Sequence, residues 1–179
     1  MGFASMGRDV LISRHARLFN VSKISVGDHS RIDDFCVLSG GAGISIGRYV
    51  HLGNASLLYG GTGIEMEDFT CLSSRCAIYS VSDDPSGESM TNPTVPEKYR
   101  GGLIAKPVIL RKHSAVGTGS TILPGVELEE GAGVCAHSLV TKSCKAWTIY
   151  FGSPAKPIKK RSRKCEELAQ ELLQSRLSD

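Results

Sequence analysis

At 179 residues, the chain is long enough to form one domain with its own hydrophobic core. Its formal net charge of +3 gives no global field that would demand nucleic acid or an anionic membrane surface as a partner. No apolar run reaches the ~18 residues of a membrane span, and the first residues lack the apolar stretch of a signal peptide, so we expect a cytoplasmic protein.

From Met6 onwards, apolar residues recur every 20 positions. The columns are Met6, Val26, Ile46 and Met66; Ile12, Ile32, Leu52 and Leu72; Leu18, Leu38, Leu58 and Ile78; and Ile24, Ile44 and Ile64. An α-helix requires apolar steps of three and four, and a half-buried strand requires steps of two, whereas columns within one repeat lie six apart. The pattern predicts triangular coils, in which each side is a short strand with one inward aliphatic residue and successive coils pair in parallel.

The repeat stops after Ile78 and resumes at Val108, followed by Leu110, Val116, Ile122, Leu128, Val134 and Val140. The residue due at position 84 therefore appears at 108, an excursion of 24 residues. This predicts an extruded loop over about residues 80–106, leaving the corner that carries Gly60–Gly63 one coil earlier and Gly40–Gly43 two coils earlier. Long polar loops of this kind are usually functional or disordered, and the undisturbed register favours a functional loop.

The tail beyond the repeat, residues 162–179, is predicted to form a short helix, which leaves residues 1–161 as the β domain. Glu166 and Glu167 lie in its first turn, where carboxylates are favourable. The predicted apolar stripe consists of Leu168, Leu172 and Leu173. We expect this helix to cap the last coil or to pack on a neighbouring subunit.

Cysteine and histidine spacing argues against a metal centre. The six cysteines contain no CxxC motif, so we interpret them as reduced, space-filling residues. A metal enzyme of the γ-carbonic-anhydrase kind on the same fold requires a pair of histidines five residues apart. The two nearest histidines here, His15 and His29, are 14 apart, so no metal is expected.

Three segments carry a resemblance to a known group: Ile122–Val126, Ser138–Lys142 and Gly152–Lys156. Together with the columns and the loop, they resemble the galactoside/maltose acetyltransferase group of the hexapeptide acyltransferases, and more narrowly the acetyltransferases of bacterial surface-polysaccharide synthesis. The resemblance implies an all-β fold, a left-handed parallel β-helix of hexapeptide repeats with an extruded loop and a short C-terminal α-helix. It also implies a homotrimer with sites in the grooves between copies, acetyl-CoA as donor and a sugar hydroxyl as acceptor.

The same resemblance implies contacts to CoA. The pattern places them near Thr118 and Ala136 and along Lys142 and Pro154. A basic cluster follows: Lys156, Lys159, Lys160, Arg161, Arg163 and Lys164. Of these, Lys159 and Lys160 are our candidates for binding the phosphates of CoA. The alternative is a solvated basic run beside the helix.

Acetyl transfer to a hydroxyl requires a general base and donors for the oxyanion. In the group, the base is a histidine at the start of the loop, but Asp83 stands at that place and residues 78–112 contain no histidine. Asp83 or its neighbour Asp84 is one candidate base, since adjacent carboxylates raise one pKa. His113, in the first coil after the loop, is the other. The alternatives are turn chemistry ahead of Pro85 and an ordinary corner histidine.

His51 and Trp147 are candidates for binding the acceptor. His51 belongs to an outward column that faces either solvent or a neighbour. Trp147, the single tryptophan, falls where the chain leaves the last coil and either covers the end of the core or lines the acceptor groove.

The missing loop histidine keeps a second acceptor open. An amine is already a good nucleophile once neutral, so N-acetylation of an amino-sugar nucleotide is the alternative to O-acetylation. A non-catalytic trimeric β-helix scaffold is a second alternative. It would explain the repeat but neither the loop nor the C-terminal motifs.

Overall fold

Three sheets of parallel coil strands form the sides of a triangular prism in the computed structural model, which describes residues 2–176. The first sheet contains β1 (Ser5–Met6), β4 (Ile24–Val26), β7 (Ile44–Ile46), β10 (Ile64–Met66), β15 (Val108–Leu110) and β18 (Glu127–Leu128). The second contains β2 (Leu11–Ile12), β5 (Arg31–Ile32), β8 (His51–Leu52), β11 (Cys71–Leu72), β16 (Ala115–Val116), β19 (Gly133–Val134), β21 (Thr148–Phe151) and β22 (Lys156–Lys160). The third contains β3 (Arg17–Phe19), β6 (Val37–Ser39), β9 (Leu57–Tyr59), β12 (Ala77–Tyr79), β17 (Thr121–Ile122) and β20 (Leu139–Val140).

The strand register confirms the predicted repeat and fold class. Ile44 pairs with Ile24 on one side and with Ile64 on the other. Ile64 then pairs with Val108 across the loop, as the excursion of 24 residues predicts. The inward aliphatic residues of these central coils are almost fully buried and form one continuous core.

The first coil departs from the prediction that every column member is buried. Met6 is 52% exposed, and Ile12 and Leu18 are only half-buried. The physical reason is that no coil within the described residues stacks on this open end of the prism. The apolar pattern therefore marks the inward direction of a side chain, while burial requires a neighbouring coil on both sides.

Each coil turns through corners at which a residue adopts a positive φ. Between the first and second sheets, at what we call the first corner, Tyr49 has φ of 57°, for example, and the equivalent residues of other coils are His29, Phe69, His113, Gly131 and Trp147. Between the second and third sheets the residue of positive φ is Phe35, Ala55, Arg75, Gly119 or His137, the second corner. The loop corner, between the third and first sheets, carries Gly40–Gly43 and Gly60–Gly63 in successive coils.

The rings of the first corner stack on one another along the prism. Ring centroids are 4.8 Å apart for His29 and Tyr49, 5.0 Å for Tyr49 and Phe69, and 5.2 Å for Phe69 and His113. Trp147 continues the column at 6.2 Å from His113. Aromatic pairs of this kind contribute roughly 0.5–1.5 kcal/mol each beyond the area they bury. The column therefore stabilises the corner that joins successive coils.

Helix α1 (Lys164–Ser175) folds back along the first corner. At its start, Arg163 lies 4.8 Å from the Trp147 ring; just after its end, the Arg176 guanidinium approaches the His29 imidazole at 3.0 Å. The expectation that the helix caps the last coil is therefore wrong, because the helix runs along the side of the prism. Leu177, included in the predicted helix, lies outside the described residues.

The buried face of α1 also differs from the predicted stripe. Ala169 is buried, and Cys165 and Leu173 are half-buried. These three residues are four positions apart, so they share one face of the helix, which packs against the prism. Leu168 is 52% exposed and Leu172 38% exposed. The predicted stripe is therefore rotated, and two of its leucines face outward. Within residues 2–176, no helix has the length and apolar character that crossing a bilayer requires.

All six cysteines are free. Cys36, Cys76 and Cys144 are buried in the core, as expected of space-filling residues. Burial raises the pKa of the Cys144 thiol to about 12. These thiols are therefore protonated and unreactive at neutral pH.

The position of His113 in the column generates a prediction about pH. Burial lowers the pKa of its imidazole below the usual 6.5, because the folded protein favours the neutral ring. Its contribution to stability is therefore fully present above pH 6.5 and is lost as the pH falls through the lowered folded pKa.

We expect His113→Phe, which continues the column with the ring type of Phe69, to retain the wild-type melting temperature at about pH 7.5. At about pH 5.5 the variant should melt higher than wild type by about 2–4 °C, the shift for ~1 kcal/mol in a domain of this size. Thermal unfolding at both pH values provides the measurement. An identical pH dependence of the two proteins would contradict this assignment.

Candidate functional site

Two hydrogen bonds between adjacent coils fix the base of the extruded loop. Thr62 donates its backbone N–H to Ser80 Oγ at 3.0 Å and its hydroxyl to the Ser80 carbonyl at 2.8 Å. Beyond this root, β13 (Val81–Ser82) pairs antiparallel with β14 (Ile104–Ala105). The loop therefore leaves the prism as a two-stranded stem, and the residues that follow β13 have a fixed starting point.

The two loop aspartates have different environments. Asp84 accepts hydrogen bonds from the backbone N–H and the hydroxyl of Ser86, at 2.9 and 2.7 Å, and these bonds lower the pKa of its carboxyl. Asp84 therefore performs the turn chemistry that was the alternative to catalysis. Asp83 is exposed, and its carboxylate has no hydrogen-bond partner within residues 2–176. Of the pair, Asp83 is the carboxylate available to a ligand.

Thr118 and Ala136 belong to one column at the second corner, headed by Ser74. The Thr118 hydroxyl donates to the Ser74 carbonyl at 2.6 Å. One coil later, the His137 N–H donates to the Thr118 carbonyl at 2.8 Å. The hairpin between β21 and β22 turns here as well. Leu139 donates its N–H to the Gly152 carbonyl at 3.0 Å, which places the turn containing Pro154 beside this column.

Thr118, Ala136 and Pro154, predicted to contact CoA, are thus brought together, while the predicted lysines lie elsewhere. Lys142 is exposed after β20, at the loop corner across the third sheet. Lys159 and Lys160 are exposed on β22, the outermost strand of the second sheet.

Two arginines of the basic cluster have structural partners. Arg161 donates to the carbonyls of His113 and Gly131 at 2.7 and 2.9 Å. Arg163 pairs with Glu166 at 2.9 Å. Arg161 and Arg163 of the basic cluster therefore have structural contacts, whereas Lys159 and Lys160 are exposed to solvent.

The outer face of the third sheet connects the second corner with the loop corner. At the end of its strands, Phe19, Ser39, Tyr59 and Tyr79 form one column along the prism, which we call the outer column. The rings of Tyr59 and Tyr79 stack at 5.4 Å with an angle of 2° between their planes. This column was missed from the sequence, although its members recur at the same 20-residue step as the core.

The remaining candidates do not meet the loop within one chain. His113 and Trp147 lie in the column of the first corner, and His51 lies on the outer face of the second sheet. His51 Nε2 lies 2.8 Å from Asp33 Oδ2, and its Nδ1 lies 4.0 Å from Cys71 Sγ. Burial alone would raise the pKa of Asp33, but hydrogen bonds from His51 and Arg31 prevail and lower it. Their assignments to the site stay predictions. Within residues 2–176, no group of three or more His, Cys, Asp or Glu side chains is arranged to hold a metal ion.

Comparison with known proteins places this geometry in context. No protein-family model matches the chain. It is 42% identical to the dTDP-4-amino-4,6-dideoxy-D-glucose acyltransferase of Escherichia coli over 180 aligned positions, which cover 100% of this chain and 93% of that protein. The crystal structure of AntD, an N-acyltransferase from Bacillus cereus in complex with dTDP and 3-hydroxybutyryl-CoA, is 46% identical with a TM-score of 0.94, covering 97% of this chain and 92% of that one.

A more distant structure shares the fold alone. The maltose O-acetyltransferase of Clostridium difficile is 20% identical with a TM-score of 0.61, covering 89% of this chain and 71% of that one. The resemblance to hexapeptide-repeat acyltransferases is thereby confirmed. The similarity over the full length of the Escherichia coli enzyme is decisive: the chain belongs to the family of β-helix sugar acyltransferases that includes the dTDP-4-amino-4,6-dideoxy-D-glucose acyltransferase.

Proposed function

We propose that this protein transfers an acyl group from an acyl-CoA to the amino group of a dTDP-linked amino sugar. The observation that carries the proposal is the composition of the loop root, where an unpaired Asp83 stands in place of the histidine that O-acetyl transfer uses. An amine requires less activation than a hydroxyl, so a carboxylate suffices where an imidazole is absent.

The similarities favour N-acylation, the alternative from the sequence, over O-acetylation. Two relatives match this chain over nearly its whole length. One is an acyltransferase of a dTDP-linked 4-amino sugar, and the other is an N-acyltransferase with dTDP and an acyl-CoA bound. The maltose O-acetyltransferase shares the fold at 20% identity only. The acyl group is left as an acyl-CoA class, since the Bacillus cereus structure holds a 3-hydroxybutyryl group.

The proposed reaction has three steps. Asp83 holds the protonated amine by charge, and the amine attacks the thioester carbonyl once it has lost a proton to solvent. The nitrogen–carbon bond forms and gives a tetrahedral oxyanion whose nitrogen carries a positive charge and is strongly acidic. Asp83 accepts the proton from that nitrogen, the carbon–sulfur bond breaks, and CoA leaves as a thiolate that takes up a proton.

The column at the second corner is the proposed donor site. Ser74 is half-buried there, beside Thr118, and Ala136 follows in the next coil. The Bacillus cereus enzyme has been crystallised with substitutions of a serine and of an aspartate ten residues apart. In this chain the same ten-residue step pairs Ser73 with Asp83 and Ser74 with Asp84. This spacing supports a site in which a serine of the second corner and a loop aspartate act together.

We also propose that the site is completed between copies in a homotrimer. The second corner and the loop corner lie at opposite edges of the third sheet, so a neighbouring copy is needed to close a groove around both substrates. The outward Leu168 and Leu172 on α1 supply apolar surface for such packing. Sedimentation of the purified chain tests this, and a monomer at working concentration would contradict it.

A cytoplasmic location remains our proposal, consistent with a nucleotide-sugar substrate.

The acceptor is tested with a matched pair of sugars. With acetyl-CoA or 3-hydroxybutyryl-CoA, we expect thiol release and amide formation with dTDP-4-amino-4,6-dideoxyglucose. We expect at most background release with the otherwise identical sugar that carries a hydroxyl at the same carbon. Equal turnover of the hydroxyl sugar would restore O-acylation, and no turnover with either sugar would favour a scaffold.

The role of Asp83 is tested with its neighbour as control. Asp83→Asn should lower kcat/KM for the amino sugar by about 100-fold or more, the usual effect of removing a proton acceptor. Asp84→Asn retains an oxygen that can accept from Ser86, so it should stay within a few-fold of wild type. Steady-state kinetics of both variants provide the measurement. A larger loss in Asp84→Asn than in Asp83→Asn would reverse the assignment.

A further inference from the structure

Two aromatic columns run along the prism, and they differ in how exposed they are. At the first corner five of the six coils from His29 to Trp147 contribute a ring, Gly131 being the exception, and α1 lies along the column. The outer column is exposed, and its coils contribute Phe19, Ser39, Tyr59 and Tyr79 in order. The single rung without a ring is Ser39, between two aromatic residues of which Phe19 is 56% exposed and Tyr59 40% exposed.

The missing ring leaves a slot of defined size. Phe19 pairs with Ser39, and Ser39 pairs with Tyr59, so the two rings are two rungs apart. Neighbouring strands are spaced at about 4.8 Å, which puts Phe19 and Tyr59 roughly 9.6 Å apart. A flat ring at the level of Ser39 would have an aromatic neighbour about 4.8 Å away on each side. The adjacent rungs Tyr59 and Tyr79 already stack at 5.4 Å, so such a ring would continue the column.

We infer that this slot, lined by Phe19, Ser39 and Tyr59, binds the base of the nucleotide that carries the acceptor sugar. The inference rests on the proposed function and deepens it by assigning the nucleotide end of the acceptor. Bases stack on aromatic side chains because every base has a planar π-face. The Ser39 hydroxyl lies at the same level and can donate to or accept from the edge of a base.

The column leads from the slot to the loop. Tyr79 is its last member and directly precedes Ser80, the residue that roots the loop carrying Asp83. From the level of Ser39 to that of Tyr79 is two rungs, roughly 9.6 Å. A ribose and a diphosphate can bridge this length, which places the sugar amine at the loop while the base remains in the slot.

The corner beside the slot suits a diphosphate. Ser39 is followed by Gly40–Gly41 and Tyr59 by Gly60–Gly61, so these four positions place no side chain of their own at the corner. Glycine is required at position 41, because a Cβ would lie 2.2 Å from the Gly60 carbonyl oxygen. A phosphate that approaches this corner therefore meets no side chain from positions 40, 41, 60 or 61. Exposed Lys23 lies at the same corner, with its Cβ 3.2 Å from where a Cβ on Gly40 would be, and provides a cation.

The repeat supplies substitutions that the fold already tolerates at equivalent positions. Ser39→Tyr places at Ser39 the residue found one coil later, and it fills the slot while completing the column. Phe19→Ser places at Phe19 the residue that follows it in the column, and it removes one wall. The control is Phe35→Ala, an exposed ring at the second corner whose equivalent one coil later is Ala55. Melting temperatures check that all three fold.

The experiment is calorimetric titration of the full chain with dTDP, without CoA. Ser39→Tyr should weaken binding more than tenfold, and Phe19→Ser by roughly 5- to 100-fold, the range for loss of one stacking partner. Phe35→Ala should bind as wild type does. Thymidine should show the same ranking as dTDP, whereas pyrophosphate should bind all four proteins equally, which separates the base from the phosphates.

Unchanged dTDP binding in Ser39→Tyr, or no dTDP binding by the wild type, would overturn the slot. The slot would also be overturned if Ser39→Tyr lost dTDP binding together with a change in its sedimentation, because a second copy of the chain would then be what covers the column. Acyl transfer to the amino sugar is measured in parallel. Its absence in wild type overturns the proposed function, whereas normal transfer with unchanged dTDP binding in Ser39→Tyr overturns only the slot.

Discussion

Every feature of this protein depends on the hydrogen bonding of each coil to the next. Typical bonds are those from the Gly27 N–H to the Ile46 carbonyl and from the Gly47 N–H to the Met66 carbonyl, both 2.7 Å. A buried backbone group without a partner is costly, so each coil must return in register with the one before it. Residues one coil apart in sequence therefore lie one above the other, and any side chain that recurs in the sequence becomes a column in space.

The columns divide the outer surface by chemistry. The first corner carries aromatic rings under α1 and contributes stability. The second corner carries Ser74, Thr118 and Ala136, with polar groups and a bare Gly117, where a Cβ would lie 2.4 Å from the Ala136 nitrogen. The third sheet joins this corner to the loop and carries the exposed rings of the outer column. The same stacking of coils thus presents a covered aromatic corner, a polar corner and a face with exposed aromatic rings, without any change of backbone conformation.

The sequence predicted the features that follow from the coil repeat, and it missed those that depend on contacts between particular side chains. The core columns and the return at Val108 follow from spacing alone, because register is a property of the chain. Met6 is exposed because no coil of the described residues stacks beneath it, and the path of α1 depends on Arg163 and Arg176 meeting Trp147 and His29. The different environments of Asp83 and Asp84 depend on the hydroxyl of Ser86. None of these contacts has a periodic signature, so inspection of spacing could not reveal them.

The loop shows how such a lattice can change chemistry without changing fold. It leaves after Tyr79, and the chain returns at Val108, which pairs with Ile64 as position 84 would without the loop, so the length of the loop does not affect the core. Its position is fixed instead by Ser80 and Thr62 at the root. Coil length also changes there: Leu110 pairs with Leu128, 18 residues later, because the later coils lack the two extra residues of the glycine corner. The loop corner therefore absorbs insertions that paired strands cannot, and a carboxylate can replace a histidine there at no cost to the core. A maltose O-acetyltransferase and this chain can accordingly share a prism at 20% identity, because the register constrains the coil strands and leaves the loop free.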